Sequence, residues 1–374
     1  MAGISERELL KLKADGWQSD LMDMRLRYAE IDSVLKYVRP LVGQGRAHPR
    51  MLPTQKSGRW STKEPPLVNF SANCINPDCP TLQAGVEHKA VSGVCWSLRD
   101  TVQPDPGTYF IKWDWSAIEA RLAAAYSEDD EDLDLFERGA DIHTATLCKM
   151  YGIPQPPDIM SPYKAESCAA WRVETGLTNS QCWQRTGAKT SRYSLAYGAD
   201  ERAIHQAKDV DKLAQDAGLD KKGIEAMAKA YLTSKPKLVA WKYRVWNQII
   251  DTQEVRTPLG RRKRLFVTEE ERAQWKRTRK ATHACKEGLN HLAQGQVADM
   301  MNLTIIAIKR RWPESRLAFQ SHDGHCSVWP EGVDPFPEIK EIVERSWSMG
   351  NGRSVRSIAD WSIVRDDGSH EEVR

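Results

Sequence analysis

The sequence predicts an α+β chain in which antiparallel hairpins alternate with blocks of helix. Three observations carry that prediction. "TYFIKWDW" (108–115) is rich in aromatic and β-prone residues, follows the turn "PDPG", and runs into the helix-favouring "SAIEARLAAAY". Two later stretches, "QEVRTPLGRRKRLF" (253–266) and "RLAFQSHDGHCSVWP" (316–330), place turn residues between β-prone arms, as tight hairpins do. Between them "THACKEGLNHLAQGQVADMMNLTIIAIKRRW" (282–312) reads as one long helix.

In chain order, residues 20–38 predict an amphipathic helix, since their apolar residues return at three and four, and a Gly/Pro-rich stretch over 43–58 breaks the chain after it. The strand over 108–115 ends close to Asp114. Helices are expected to dominate from about 133 to 250. The first hairpin turns around Pro258 and Gly260, the second near Asp323 and Gly324. A helix over 335–349 and β-like residues over 354–364 close the chain.

Composition bounds the function. At 374 residues the chain can bury a sizeable core and hold one large domain or two to three subdomains. It contains no run of some eighteen apolar residues, and "MAGISERELLKLKADG" is a charged helical start rather than a signal peptide, so a soluble cytoplasmic protein with no membrane partner is expected. Eight cysteines scattered through a chain this long read as reduced thiols. The pair in "CINPDC" (74–79) would need His88 and Cys95 to complete a zinc site, and a structural reading is favoured over it.

The net charge of +3 conceals an uneven distribution. Residues 256–280 hold ten Lys/Arg against three Glu, whereas residues 128–141 hold eight acids against one Arg. The basic stretch, with its GRR turn and Trp275, suits phosphate contact. The acidic one reads as a solvated face.

Two aspartates, Asp114 and Asp323, are thus expected at strand ends far apart in sequence. A pair of carboxylates can bridge two divalent metals and support in-line phosphoryl transfer, although acids also cap turns in many proteins. In "RTGAKTSRYSLAYG" Arg185, Lys189, Tyr193 and Tyr197 recur every four residues, which makes one slowly drifting stripe on a helix. Two cations followed by two aromatics could hold a triphosphate and stack on a base and sugar. Spacing alone leaves equally open an amphipathic helix with solvated cations.

"DWSAIEARLAAAYSED", "RTGAKTSRYSLAYG" and "SHDGH" stand in the order and at about the separations of motifs A, B and C of family A DNA polymerases, the bacterial DNA polymerase I type. "SGRWSTKEPPLVNF" (57–70), "DIHTAT" (141–146), "TPLGRRKRLF" (257–266) and "LNHLAQGQVADMM" (289–301) resemble further family segments in their proper places. The resemblance runs from about residue 25 to the end. It implies a right-hand polymerase palm, an antiparallel sheet with helices, joined to helical fingers and with the thumb largely absent. The domains would be a residual thumb-like segment and linker over 1–56, the first part of the palm over 57–140, the fingers over 141–250, and the second part of the palm with the catalytic hairpin over 251–374.

The resemblance further implies a template-directed DNA polymerase that takes primer-template DNA and deoxynucleoside triphosphates. Asp114 and Asp323 would hold two Mg²⁺ ions that lower the pKa of the primer 3′ hydroxyl and neutralise the triphosphate. Arg185 and Lys189 would grip the phosphates, with Lys189 also placed to protonate the leaving pyrophosphate. Tyr193 would pack on the sugar and base, and Tyr197 would sit at the templating end. Glu119 matches the steric gate that excludes a ribose 2′ hydroxyl. Arg59, Asn69, Asn290 and Gln294 match positions that track primer and template in the minor groove, and Arg261 and Arg262 in the basic hairpin are further DNA-binding candidates.

This chain also departs from the family. Trp115 and Ala117 stand where tyrosine and glutamine are usual, Gly324 where glutamate is usual, and Lys286 where arginine is usual. Residues 73–94 look like an insertion. No exonuclease domain is expected, so proofreading is not, and processivity would be poor or supplied by a partner; a separate thumb, exonuclease or processivity subunit is a candidate partner. A phage protein or one piece of a split polymerase would account for this. The alternatives are a weak or inactive DNA-binding replication subunit, suggested by Gly324, and a single-subunit RNA polymerase, against which Glu119 speaks. A zinc site of His322, His325 and Cys326 is disfavoured, because neighbours on a strand point to opposite faces.

Overall fold

The computed structural model describes residues 46–53, 55, 57–64, 67, 101–151, 185–196, 221–321 and 323–373. The expected helix over 20–38, the "CINPDC" pair with His88 and Cys95, and the insertion over 73–94 lie outside them.

A five-stranded antiparallel sheet organises one of two main hydrophobic cores among the described residues. Its order is β11 (His370–Val373), β10 (Ala359–Arg365), β3 (Thr108–Trp115), β7 (Gly324–Pro330), β6 (Arg316–Ser321). Residues two apart on a strand share a face, and the sheet sorts its side chains accordingly. Tyr109, Ile111, Trp113 and Trp115 of β3 join Trp329 and Trp361 in a buried cluster. The opposite face carries Lys112 and Asp114, with Gly324 and Cys326 beside them on β7 and Asp360 and Ser362 on β10. Tryptophan fills the first face densely: Trp113 lies 5.2 Å from Trp115 and 6.2 Å from Trp361, ring to ring. The core thereby fixes the height of the strand that presents Asp114.

Past Trp115 the chain turns through Ala117, which takes a left-handed conformation at φ 51, and enters α1 (Ile118–Ser127). Two short acidic and apolar helices follow, α2 (Asp130–Glu137) and α3 (Ile142–Tyr151). The helix α4 (Arg185–Ala196) carries the basic and aromatic stripe, and α5 (Lys221–Ser234) and α6 (Pro236–Thr252) pack around it. Helices dominate the described residues between 133 and 250, as expected, with breaks at 138–141 and at Lys235.

The basic hairpin forms from β4 (Glu254–Arg256) and β5 (Arg262–Arg264), with Gly260 at φ 93 in the turn. It leads to α7 (Glu269–Thr278), started by a reciprocal cap between Thr268 and Glu271. The predicted long helix is α8 (His283–Arg311), which at 29 residues is about 43 Å long. Cys285, Leu289 and Leu292 at its start belong to the cluster around α3 to α7, whereas Val297, Met301 and Ile308 belong to the sheet cluster. One helix thus joins both cores. Near the N-terminus, β1 (Arg50–Leu52) and β2 (Ser61–Lys63) pair as a small ribbon.

The helix expected over 335–349 is shorter than predicted. It runs as α9 (Phe336–Val343), and the chain then becomes β8 (Ser346–Ser348), paired with β9 (Ser354–Arg356). Ser357 accounts for the stop: its hydroxyl donates to the Val343 carbonyl at 2.5 Å and accepts from the Trp347 indole at 3.1 Å. Trp347 is thereby drawn into the core, which a continued helix would not allow. The acidic stretch over 128–141 is solvated at Glu128, Asp130, Glu131, Asp134 and Glu137, as expected, but not throughout. Asp129 and Asp132 are buried, at 7% and 3% exposure.

Candidate active site

The β6–β7 hairpin turns at Asp323 and Gly324, as the sequence indicated, and binds β3 through Trp115 N–H, which donates to the Asp323 carbonyl at 3.1 Å. In register, Asp114 faces Gly324 on one side and Asp360 on the other. Asp114, Asp323 and Asp360 consequently line one open cleft of about 390 Å³, together with Lys112, Ser321 and Ser362. Two or three carboxylates on one sheet face repel one another unless a cation compensates.

Gly324 decides how closely the strands approach. A Cβ there would sit 2.6 Å from Asp114 Oδ1 and 2.9 Å from the Trp113 carbonyl. The Asp114 carboxylate packs this closely on β7 because the residue there is glycine. Hard carboxylate oxygens lining an open cleft suit Mg²⁺, which binds through one or two carboxylates with the rest of its shell drawn from water and phosphate oxygens. Among the described residues, no group of three or more His, Cys, Asp and Glu side chains is arranged to enclose a metal. A zinc site at the hairpin gains no support: Cys326 is 1% exposed and burial pushes its thiol up to about 12, while His322 lies outside the described residues. Among the described residues Cys148, Cys285 and Cys326 are free thiols, as expected.

In the first turn of α1, Glu119 ion-pairs with Arg59, and both side chains are largely buried. Burial pushes the Glu119 carboxyl above its usual range against the pull of Arg59, and Asp323 pushes the same way. Tyr193 of α4 approaches the same point. Burial raises its phenol, and the carboxylates of Glu119, Asp323 and Asp114 add to the shift. Its ring lies 5.9 Å from that of His143 on α3. Four residues predicted from three motifs, Asp114, Glu119, Tyr193 and Asp323, are thus brought together from a strand, two helices and a hairpin.

The remaining candidates are placed as follows. Arg185 and Lys189 lie on α4 two helical steps and one helical step before Tyr193, while their side chains, with Tyr197 and Asn69, lie outside the described residues. Asn290 and Gln294 are half-buried, one helical step apart on α8. Arg261 reaches Asp299 of the same helix at 2.9 Å through Nε and packs against Gly58, next to Arg59. Arg262 is exposed, 3.6 Å from Glu254. The loop before β5 is fastened to α8 as well, since Leu259 N–H donates to Gln296 at 3.4 Å.

Two features escaped the sequence reading. Asp360 was assigned only to a β-like stretch, although "DWS" occurs at both 114–116 and 360–362, and the structure pairs these tripeptides' aspartates across adjacent strands. The second is a buried ionic cluster. Arg192 of α4 donates to Asp132 at 2.6 Å, and Lys235 reaches Asp132 at 2.5 Å and Asp129 at 3.0 Å. Nothing in helical periodicity announces a pair sixty residues apart.

The sequence model of DNA polymerase family A matches residues 6–162 and 166–345. The chain belongs to DNA polymerase family A. Among curated members, the thermostable DNA polymerase I of Thermus caldophilus is 26% identical over 330 residues, covering 87% of this chain and 33% of that protein. DNA polymerase I of Lactococcus lactis subsp. cremoris is 23% identical over 331 residues, covering 86% and 32%. The chain therefore spans about a third of the length of these family A relatives. In fold it is similar to a solved structure of the POL domain of Pol1 from M. smegmatis in complex with DNA primer-template and dNTP. The TM-score is 0.65 at 20% identity, covering 97% of this chain and 56% of that one. The mixed helix and antiparallel-sheet architecture of a family A polymerase domain is thus present here. Among the described residues, no helix is long and apolar enough to cross a membrane.

Proposed function

We propose that this chain is a DNA-directed DNA polymerase, adding deoxynucleotides to a primer 3′ end in the cleft that holds Asp114 and Asp323. The observation that carries this reading is the convergence of those two aspartates with Glu119 and Tyr193, drawn from three motifs of the family. Asp114 and Asp323 would hold Mg²⁺, which when bound activates the attacking hydroxyl and neutralises phosphate charge. The protein's own residues do the positioning. Arg185 and Lys189 stand on α4 to meet the triphosphate, and Tyr193 meets the sugar and base beside Glu119. Glu119, held by Arg59, fills the volume a ribose 2′ hydroxyl would need. Asn290 and Gln294 on α8, with Arg59, face the primer-template minor groove, and Arg261 and Arg262 its backbone. The residues over 57–140 and 251–374 would form the palm, and those over 141–250 the fingers.

A primer-extension assay with the purified chain, Mg²⁺ and either deoxy- or ribonucleotides tests this. Extension with deoxynucleotides only is expected. No extension, or extension with ribonucleotides alone, would replace the reading by a DNA-binding subunit or an RNA polymerase. A mismatched primer in the same assay reads 3′ to 5′ degradation, and none is expected.

A further inference from the structure

The most exposed large apolar side chain among the described residues is Phe266, at 84%. Its neighbours explain why it faces outward. Leu265 and Val267 are each 5% exposed and belong to the core around α6 and α8, and Leu265 N–H is tied to the Gln253 carbonyl at 2.8 Å. Side chains alternate along extended chain, so Arg262, Arg264 and Phe266 form one outward row while Lys263, Leu265 and Val267 face inward. Lys263 is held by Glu287 at 2.9 Å and Arg262 lies 3.6 Å from Glu254. An aromatic face beside arginines is the surface on which single-stranded nucleic acid binds, its phosphates on the cations and its bases on the ring.

We infer that Phe266 is a stacking platform for an unpaired base of the template strand, with Arg262 and Arg264 holding the adjoining phosphates. Single-stranded character follows from chemistry: a base inside a duplex already has stacking partners on both faces, and in a recessed primer-template only the template continues unpaired. Distance agrees. Arg261 packs on Gly58, beside the Arg59 and Glu119 pair, and five residues of extended chain reach at most about 18 Å. The Phe266 backbone therefore lies within about 18 Å of the Arg261 backbone, whose guanidinium reaches towards that pair, a span on the order of five nucleotide steps at roughly 3.4 Å each. This inference rests on the polymerase reading for the identity of the strand.

The experiment is equilibrium binding by fluorescence anisotropy to two recessed primer-templates, identical except that the eight-nucleotide template overhang carries either normal bases or abasic sites. Both keep every phosphate. Wild type is expected to bind the base-bearing overhang about 5- to 150-fold more tightly, since stacking on one aromatic is worth roughly 1–3 kcal/mol. Phe266→Ala is expected to erase that ratio and Phe266→Trp to retain it. A wild-type ratio of one, a ratio unchanged in Phe266→Ala, or an equal loss on both overhangs would overturn the inference. Should wild type show the ratio but fail to extend primers, the stacking site stands and the polymerase reading falls.

Discussion

Arg192 and Asp132 form an ion pair at 2.6 Å with each side chain only 5% exposed, joining α4 to α2 immediately beside Tyr193. Burial opposes both charges, yet each is held in its charged form. Tyr231 and Asp132 raise Arg192, and Arg192 with Lys235 lowers Asp132 below the usual carboxylate range. Removing Asp132 strands Arg192, whose other side-chain hydrogen bond among the described residues is to the neutral Thr146 hydroxyl at 3.1 Å. Lys235 would keep Asp129. Asp132→Asn should therefore cost about 3–5 kcal/mol in chemical denaturation, and Arg192→Met less, because Asp132 retains Lys235. The double variant Asp132→Leu/Arg192→Met should recover most of the loss. Equal costs for the two single variants would contradict this account.

Asp114→Asn and Asp323→Asn should each lower extension by far more than tenfold while leaving the affinity for primer-template DNA within a few-fold. Each removes a carboxylate from the cleft, and neither lies on the surface expected to grip the duplex. Residual extension within tenfold of wild type, about 1.4 kcal/mol in barrier, would remove that carboxylate from the chemistry.

Sugar selection should depend on the size of Glu119 more than on its charge. Glu119→Ala opens volume at a closed site and should raise ribonucleotide insertion relative to deoxynucleotide, with some loss of rate because Arg59 is left without its partner. Glu119→Gln keeps the volume and should keep most of the selectivity. The ratio of kcat/KM values for the two sugars measures both.

Tyr193 should admit chain terminators, its hydroxyl standing in for the missing 3′ hydroxyl. Tyr193→Phe should then discriminate against dideoxynucleotides. If the dideoxy-to-deoxy efficiency ratio does not move, Tyr193 does not meet the sugar.

Acid should weaken the fold through His291. This buried side chain on α8 is depressed to about 4, first by desolvation and then by Lys263 and Arg261, against the pull of Asp299. The folded state thus binds its proton less readily than the unfolded chain, at about 6.5. Stability is complete above that value and is lost as pH falls from 6.5 towards 4, by up to about 3 kcal/mol. His291→Leu should flatten this part of the stability profile, read by denaturant titration at pH 4.5 and 7.

Local pattern reached the parts of the fold that local chemistry determines. Alternation and turn residues located the strand over 108–115 and both hairpins, and a continuous helical pattern located α8. The end of α9 was not legible, because it is set by the Ser357 hydroxyl fourteen residues beyond Val343. The acidic run hid its buried members because the cations they meet, Arg192 and Lys235, lie some sixty and a hundred residues away. In the candidate site, motif order brought out Asp114, Glu119, Tyr193 and Asp323. Asp360 went unnoticed, since cross-strand adjacency is a property of register and not of spacing.

The close packing at Gly324 has a historical dimension. The glutamate that the resemblance makes usual at this place does not fit here by one exchange, because the new side chain would begin inside the volume already taken by the Asp114 carboxylate and the Trp113 carbonyl. The strand carrying Asp114 would have to shift first, and that shift alone would disturb the tryptophan packing behind it. Substitutions at the two strands are thus order-dependent. A glutamate moved in from a relative would be judged harmful here even if it is indispensable there, and the incompatibility would mark the packing of this sheet, not the chemistry of the residue.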